Sequence, residues 1–95
     1  MGIDAGTGSV RAAIFDLKGN NLAYATSEYN TYYPHNGWAE QKDEEWYKAL
    51  KEAIPACIKK AGISAEEIVA LTVDATTCTM VFLDEKGESV RTPIL

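Results

Sequence analysis

The amino-acid sequence predicts an α/β fold built on a mixed β-sheet with one long flanking helix. Two observations support this prediction. Three short segments of apolar and small residues, separated by glycine-containing turns, open the chain, and one long segment of helical period follows them. A further apolar segment after the helix predicts a strand parallel to its neighbour, because a helix between two strands returns the chain in the same direction. The predicted order is therefore βββ, α, β and a closing hairpin.

Size and composition limit the chain to one domain or a part of one. It has 95 residues, 46% hydrophobic and 24% charged, which is typical of a globular protein and excludes general disorder. The net charge is -5 without a basic cluster, so neither nucleic acid nor an anionic membrane is an expected partner. Cys57, Cys78 and His35 are too far apart in sequence for a usual zinc pattern, and the cysteines do not suggest a disulfide scaffold. Because the sequence has neither a signal peptide nor a membrane span, we expect a cytoplasmic location.

The first three predicted strands form an antiparallel meander. An apolar run at 1–3 ends at Asp4 and is so short that either the strand is clipped or the true start lies upstream. A glycine-rich turn at 5–9 leads to a second strand at 10–17, and another tight turn leads to a third strand at 22–29. Consecutive strands joined by tight turns pair antiparallel.

A long loop and a helix follow the meander. Residues 30–42 have no periodic pattern, and loops longer than the usual connection of about 4–6 residues are often functional. We expect Asp43 to be the N-cap, Gly62 to be the C-cap, and Pro55 to kink or split the helix. The helix predicted over 43–61 rests on apolar residues at helical spacing, which are Trp46, Leu50, Ala53, Ile54, Cys57, Ile58 and Ala61.

The C-terminal part of the chain predicts a capped turn, a buried strand and a hairpin. Ser64 and Glu67 have the spacing of a capping box. Residues 68–73 are almost entirely apolar, which predicts a strand buried on both faces. Segments at 79–83 and 90–95 predict a hairpin whose second strand ends without a cover. We therefore expect the chain to be a fragment of a larger fold, and its open apolar edge to favour self-association as a homo-oligomer.

The most informative motif is the segment GIDAGTGSVR at 2–11. An aspartate at a strand end, followed by a glycine turn with two hydroxyl residues, suits a nucleotide phosphate and a hydrated Mg²⁺ beside it. No Walker A lysine and no helix follow the turn, so the helix-dipole mechanism is absent. The alternative is an ordinary glycine hairpin with a solvated aspartate. The candidate phosphate ligands are Thr7, Gly8, Ser9 and Arg11, with Asp4 as the metal ligand.

Four segments together resemble the FGGY family of carbohydrate kinases. They are the phosphate motif GIDAGTGSVRAAIFD, which is similar to that of the actin, Hsp70 and sugar-kinase superfamily, the loop GWAEQ at 37–41 followed by Trp46, the strand exit VDATTCTMV at 73–81, and the closing DEKG with PIL at 93–95. The resemblance covers the whole chain. It implies a ribonuclease-H-like fold, ATP and Mg²⁺ as cofactors, and transfer of the γ-phosphate to a hydroxyl of a sugar or polyol.

The resemblance also implies which parts lie outside this chain. Family members are several times longer and have two ribonuclease-H-like domains, so residues 1–95 correspond to the N-terminal portion of the first domain, without the second domain. The family's catalytic aspartate, second phosphate loop and adenosine pocket come later in the sequence, so no catalytic residue is expected here. The expected partners are a small-molecule sugar or polyol and the remainder of the kinase chain. Gly8 departs from the hydroxyl residue of many members, which removes one side-chain contact and keeps the backbone donor.

The resemblance puts part of the sugar site at Thr76, Thr77 and Cys78, and puts Trp38 and Gln41 in a loop near the sugar cleft. The Thr77-Cys78 pair is similar to the ribulokinase-like branch, which implies a ketopentose such as ribulose or xylulose. Hydroxyl contacts to a sugar are selective because an unmatched buried donor is costly. The alternatives are threonines that cap the backbone and a tryptophan that only fills a gap. A non-catalytic nucleotide-binding sensor or scaffold on the same fold is the competing function.

Overall fold

The strands of the structure form one mixed sheet, as the sequence predicts. The computed structural model describes residues 1–95. The elements in chain order are β1 (Gly2–Ala5), β2 (Ser9–Phe15), β3 (Asn21–Glu28), helix α1 (Asp43–Ala61), a 3₁₀ turn (Ala65–Glu67) and β4 (Thr72–Ala75). The sheet has the order β3-β2-β1-β4, with β1, β2 and β3 antiparallel and β4 parallel to β1, which confirms the meander and the parallel fourth strand.

The core lies between α1 and one face of the sheet. Small side chains on both sides let the helix approach β2 and β3 closely, with Ala12 and Ala25 on the sheet facing Ala49 and Ala53 on the helix. The predicted apolar stripe of α1 is confirmed, since its members are buried or packed against this core, and Ala49 belongs to it as well. The buried apolar residues are Ile3, Val10, Ala12, Ile14, Ala25, Tyr29, Ala49, Ala53 and Cys57.

The N-terminus of α1 differs from the prediction. Asp43 is the first helical residue and not the cap, because Lys42 occupies the N-cap position with extended backbone and makes no side-chain cap bond. The Asp43 carboxylate instead accepts a hydrogen bond from the Ser89 hydroxyl. With the two glutamates that follow it, Asp43 also complements the positive end of the helix dipole.

The rest of α1 runs without a break. Pro55 was expected to kink or split the helix, but the helix is continuous across it. Pro55 and Lys51 are both exposed, so the carbonyl that loses its helical donor can be solvated. Gly62 is the C-cap as predicted, with φ of 68°. No helix in the chain has both the length and the apolar character needed to cross a membrane.

The predicted strand at 68–73 is wrong in both position and burial. The observed β4 begins at Thr72, and all four of its residues are exposed. It lies at the edge of the sheet, where α1, which covers β2 and β3, does not reach it. The capping box that precedes it is confirmed, with the Glu67 carboxylate accepting a hydrogen bond of 2.9 Å from the backbone N–H of Ser64.

The predicted closing hairpin is present as isolated bridges and not as strands. Met80 pairs with Ile94 and Leu83 pairs with Ser89. The turn between them is built on Asp84, whose carboxylate accepts hydrogen bonds from two backbone N–H groups of the turn at 2.8 and 2.9 Å.

The bridges continue into the long loop. Tyr32 pairs with Glu40, Glu40 pairs with Ile94, and Ile94 pairs with Met80. These four residues, termed the bridge ladder, fix the loop at 30–42 against the segment that follows β4. The two parts of the chain that carry the sugar-site candidates are therefore held together by backbone hydrogen bonds.

Candidate functional site

The turn that joins β1 and β2, termed the phosphate loop and comprising residues 6–9, is anchored by its carbonyl groups. The hydroxyl of Tyr29 donates to the carbonyl of Gly6 and lies 3.3 Å from that of Ser9. The N–H of Tyr29 donates to the carbonyl of Gly8 at 3.1 Å, and the side-chain amide of Gln41 donates to the carbonyl of Thr7. All four carbonyls of the loop therefore accept hydrogen bonds from the protein.

Two backbone amides of the same loop are free. The N–H groups of Thr7 and Gly8 make no intramolecular hydrogen bond, and both residues are exposed. A planar trans peptide turns its N–H away from its C=O, so a carbonyl fixed on the protein side directs the next N–H toward solvent. Ser9 is the first residue of β2 and is only 8% exposed, so it offers little surface to a ligand. Two outward donors on a fixed backbone can bind an anion.

A charged row crosses the open face of the sheet beside this loop. Asp4 and Arg11 are directly opposed on β1 and β2, and their side chains form an ion pair of 2.9 Å while remaining 43% and 61% exposed. Asp74 on β4 is the register partner of Asp4 and therefore shares its face. Asp4 lies within β1 and not after it, because the strand extends to Ala5. An ion pair this exposed is weak, so both groups remain available to a ligand.

Tyr29 is the residue of this site that the sequence analysis missed. Burial, followed by the negative charge of Asp4, raises the pKa of the Tyr29 hydroxyl above its usual value of 10.0. The hydroxyl therefore stays protonated and remains a donor to the loop at neutral pH. In the sequence Tyr29 only ends the third predicted strand, and its distance of 23 residues from Gly6 gives no local signal.

Thr76 joins the proposed sugar segment to the phosphate loop. Its N–H and its hydroxyl both donate to the carbonyl of Ala5, each at 3.1 Å. Because β1 and β4 are parallel, their carboxyl ends meet at the same edge, and Thr76 lies beside the first residue of the phosphate loop. The hydroxyl of Thr76 therefore caps the backbone, which was one of the alternatives.

The next residues form an exposed turn. Thr77 and Cys78 are both exposed, and Cys78 has φ of 65°, in the left-handed region that residues other than glycine seldom adopt. The hydroxyl oxygen of Thr79 is buried and has no hydrogen-bond partner.

Gln41 and Trp38, which are close in sequence, have different surroundings. Gln41 is 2% exposed, and its amide group bonds to Thr7, Thr31 and Trp46. Trp38 is 50% exposed, stands edge-on to the ring of His35 and has the guanidinium of Arg91 6.0 Å from its ring centre. Gln41 thus has little capacity left for a ligand, whereas part of the Trp38 ring is open.

Two cavities border the candidate residues. The larger, of about 660 Å³, is lined by Gly6, Gln41, Thr76 and Thr79 together with residues of α1 and the closing segment. A second cavity of about 400 Å³ lies within the loop and includes Trp38. The structure therefore brings the phosphate loop, Gln41 and Thr76 together, sets Trp38 apart, and leaves Thr77 and Cys78 outside both cavities.

Comparison with known proteins assigns the family. The model that describes the N-terminal domain of the FGGY family of carbohydrate kinases matches residues 1–95, the full length of the chain. The chain belongs to the FGGY family of carbohydrate kinases. The resemblance drawn from the phosphate motif, the GWAEQ loop and the strand exit is confirmed.

Similar proteins support this FGGY assignment. A ribulokinase from Geobacillus thermodenitrificans is 33% identical over 93% of the chain, and a glycerol kinase from Chloroflexus aurantiacus is 36% identical over 98%. The structure of a xylulose kinase from Brucella ovis superposes on 99% of the chain with a TM-score of 0.94 and 30% identity. A xylulose kinase from Rhodospirillum rubrum gives a TM-score of 0.87 over 98%, at 25% identity. The fold is therefore the ribonuclease-H-like fold of sugar kinases. The FGGY chain spans 18% to 20% of the length of these proteins.

Proposed function

We propose that residues 1–95 form the N-terminal portion of the first domain of a longer FGGY kinase, which transfers the γ-phosphate of ATP to a hydroxyl of a ketopentose such as ribulose or xylulose. The observation that carries the proposal is the pair of unbonded N–H groups on Thr7 and Gly8, above carbonyls that are all anchored. Phosphoryl transfer needs positioned donors and charge stabilisation more than covalent help from the protein.

The residues of the phosphate loop divide this work. Thr7 and Gly8 donate backbone hydrogen bonds to phosphate oxygens, and the Thr7 hydroxyl adds a side-chain donor. Ser9 contributes mainly by starting β2 and so fixing the end of the loop. Arg11 leaves its exposed ion pair with Asp4 and supplies positive charge to the phosphates.

The remaining candidate ligand of the motif, Asp4, has the carboxylate chemistry that suits magnesium. Asp4 offers a carboxylate that is 43% exposed and paired only to an exposed arginine, and Mg²⁺ prefers one or two carboxylates together with water and phosphate oxygens. Asp4 would hold the ion, which would supply positive charge to the phosphates of a bound nucleotide. The neighbouring Arg11 exchanges the Asp4 carboxylate for phosphate oxygens.

The sugar would bind at the same edge of the sheet. Thr77 and Cys78 are exposed beside the phosphate loop, and Thr76 fixes that segment to β1. Trp38, which borders the separate second cavity, would meet the apolar face of the sugar from the loop at 37–41. A ketopentose is supported by the ribulokinase and xylulose kinase relatives and by the Thr77-Cys78 pair. Gln41 acts from within the protein rather than on the sugar.

The full-length protein tests the proposal. Sugar-dependent release of ADP from Mg·ATP is measured with a panel of ketopentoses and polyols, including glycerol because glycerol kinases are among the relatives. Asp4→Asn is expected to lower kcat by on the order of 100-fold or more, with little change in sugar affinity, because the carboxylate acts on the transferring phosphate.

Asp16→Asn is the matched control. Asp16 accepts hydrogen bonds from the backbone of Lys18 and Asn20 in the β2–β3 turn, away from the phosphate loop, and an asparagine keeps that acceptor. An Asp4→Asn variant that turns over as well as Asp16→Asn would remove Asp4 from the site. Binding of ATP without sugar-dependent ADP release would support the non-catalytic sensor or scaffold instead.

A further inference from the structure

Gln41 occupies an unusual position for a polar side chain. At 2% exposure it is the largest of the fully buried side chains in the protein. Its Nε2 donates to the Thr31 hydroxyl at 2.8 Å and to the carbonyl of Thr7, and its Oε1 accepts from the indole N–H of Trp46 at 3.1 Å. Both amide protons are used, and the buried amide is satisfied, as burial of a polar group requires.

The partners of Gln41 belong to separate parts of the chain. Thr31 lies at the start of the long loop, Trp46 lies in the first turns of α1, and Thr7 lies in the phosphate loop. The backbone N–H of Gln41 also donates to the carbonyl of Pro93 at 3.1 Å, which extends the bridge ladder. One residue thus connects the GWAEQ loop, the helix, the closing segment and the phosphate loop.

The bond to Thr7 has a geometric consequence for phosphate binding. The carbonyl of Thr7 and the N–H of Gly8 belong to one planar peptide, and in a trans peptide they point in opposite directions. By holding that carbonyl, Gln41 directs the Gly8 N–H toward the place where phosphate binds. Any movement of the segment at 37–41 therefore changes the direction of this donor.

We infer that Gln41 is a positioning residue that couples sugar binding to nucleotide binding. The inference rests on the proposed kinase function, since it needs both ligands. Because these contacts join residues 37–41 to the phosphate loop, a sugar that shifts the segment at 37–41 also shifts the Gly8 N–H, and a phosphate that shifts the Gly8 N–H also shifts that segment. The two ligands then strengthen each other's binding by the same factor, as thermodynamic linkage demands.

Calorimetry on the full-length protein measures this coupling. The dissociation constant of ribulose or xylulose is determined with and without a non-hydrolysable ATP analogue, and the constant of the analogue is determined with and without the sugar. In the unmodified protein the nucleotide is expected to tighten sugar binding by about 5- to 150-fold, the usual range for coupled sites. Gln41→Met keeps the size and shape of the side chain and removes its hydrogen bonds, and it is expected to reduce the factor to about 2-fold or less.

Two further variants separate coupling from a general loss of structure. Gln41→Glu keeps an acceptor for the Trp46 indole but sets a carboxylate against the carbonyl of Thr7, so it is expected to lose coupling while the indole N–H keeps its NMR signal. Ser27→Ala removes one side-chain hydrogen bond between the sheet and α1, to Glu52 at 2.6 Å, away from both loops. It is expected to keep the coupling of the unmodified protein.

The outcomes distinguish the inference from the function on which it rests. Coupling that persists in Gln41→Met, or an unmodified protein that binds both ligands independently, would overturn the inference and leave the kinase intact. A Gln41→Met variant whose sugar affinity falls equally with and without nucleotide would make Gln41 a direct sugar ligand. If the Gln41 variants do not fold, the NMR signal of the Gly8 amide in the unmodified protein tests the inference instead. That signal is expected to shift when sugar alone is added, and an unchanged signal would overturn the inference. Failure of the unmodified protein to bind any sugar would overturn the proposed function, and the inference with it.

Discussion

Replacing Tyr29 by phenylalanine tests whether the Tyr29 hydroxyl anchors the phosphate loop. The ring of Tyr29 is buried in the core, and its hydroxyl donates to the carbonyl of Gly6. Phenylalanine keeps the ring and removes only the donor. The carbonyl of Ser9 keeps another donor, the N–H of Gly6 at 3.0 Å, but the carbonyl of Gly6 loses the Tyr29 hydroxyl as its donor.

The expected loss of stability follows from the one hydrogen bond that the substitution removes. Loss of one buried hydrogen bond costs about 1 kcal/mol, and leaving a buried acceptor unsatisfied costs about 1–3 kcal/mol. Since the Gly6 carbonyl is at a loop that water can approach, we expect the free energy of unfolding at neutral pH to fall by about 1–2 kcal/mol. We also expect the full-length protein to bind nucleotide more weakly and sugar unchanged, because the Gly6 carbonyl and the Thr7 N–H share one peptide.

The raised pKa of Tyr29 also predicts how the difference in stability between the two proteins changes with pH. The pKa of Tyr29 is raised in the folded protein, first by burial and then by the charge of Asp4, so folding favours the protonated hydroxyl. That contribution is complete below about pH 10, the unfolded value, and disappears as the pH rises through the higher folded value. The phenylalanine variant cannot lose it, so the difference in stability between the two proteins should narrow above pH 10.

Urea unfolding of the 95-residue chain, at low concentration and followed by circular dichroism at pH 8 and above pH 10, measures both effects. Tyr24→Phe is the control, because Tyr24 is largely exposed and its hydroxyl makes no hydrogen bond. A Tyr29→Phe variant as stable as Tyr24→Phe, with unchanged nucleotide affinity in the full-length protein, would show that the hydroxyl does not anchor the loop.

Three other predictions concern the thiols, the helix end and the uncovered surface. A thiol reagent should titrate exposed Cys78 in the folded chain and reach Cys57 only after denaturation, because burial raises the pKa of the Cys57 thiol and blocks access; two fast thiols in the folded state would contradict this. Gly62→Ala should lower the free energy of unfolding by about 1–2 kcal/mol in a thermal or urea melt, because φ of 68° is unfavourable for alanine; an unchanged melt would show that the helix end relaxes. The 95-residue chain alone should release no sugar-dependent ADP, because the family resemblance puts the catalytic aspartate and the second domain outside these residues. The chain alone should also sediment as oligomers, because exposed apolar side chains crowd β4 and the closing segment. An active monomer would refute both predictions. Those side chains are Val73, Met80, Phe82, Leu83 and Val90.

The sequence predicted the elements whose pattern is local. Alternating residues in the strands and the helical spacing from Trp46 to Ala61 each repeat within one element, so burial of one face follows from the sequence alone. The C-cap at Gly62 and the capping box at Ser64 are also encoded within a few residues. These predictions were confirmed for that reason.

Elements that depend on distant partners were predicted less well. The apolar run at 68–73 does not say which residues pair, and β4 is set by its register with β1, in which Gly2 opposes Thr72 and Ala5 opposes Ala75. Its exposure follows from the position of α1 over the other strands. The closing hairpin has only isolated bridges because its register shifts by two residues between the Met80–Ile94 bridge and the Leu83–Ser89 bridge, so the two do not join into one ladder.

The same difference between local patterns and distant contacts applies to the candidate site. The motif alone predicts Asp4, Thr7, Gly8, Ser9 and Arg11 as ligands, which lie within eight positions of one another, and their roles stay predictions. It could not identify the anchoring role of Gln41, because the contact with Thr7 spans 34 residues. The pattern of the GWAEQ loop suggested a ligand where the structure has a buried hydrogen-bond centre.

The two anchors also bear on the alternative of an ordinary glycine hairpin. A glycine-rich turn by itself has many accessible conformations, because glycine restricts the backbone least. Its amides would have to be ordered at the moment a phosphate binds, which lowers affinity by the cost of that ordering. In this protein the ordering occurs during folding. Tyr29 fixes the carbonyl of Gly6 and with it the N–H of Thr7, and Gln41 fixes the carbonyl of Thr7 and with it the N–H of Gly8. A hairpin that served only to join two strands would have no need of a buried glutamine and a buried tyrosine hydroxyl to hold its amides outward.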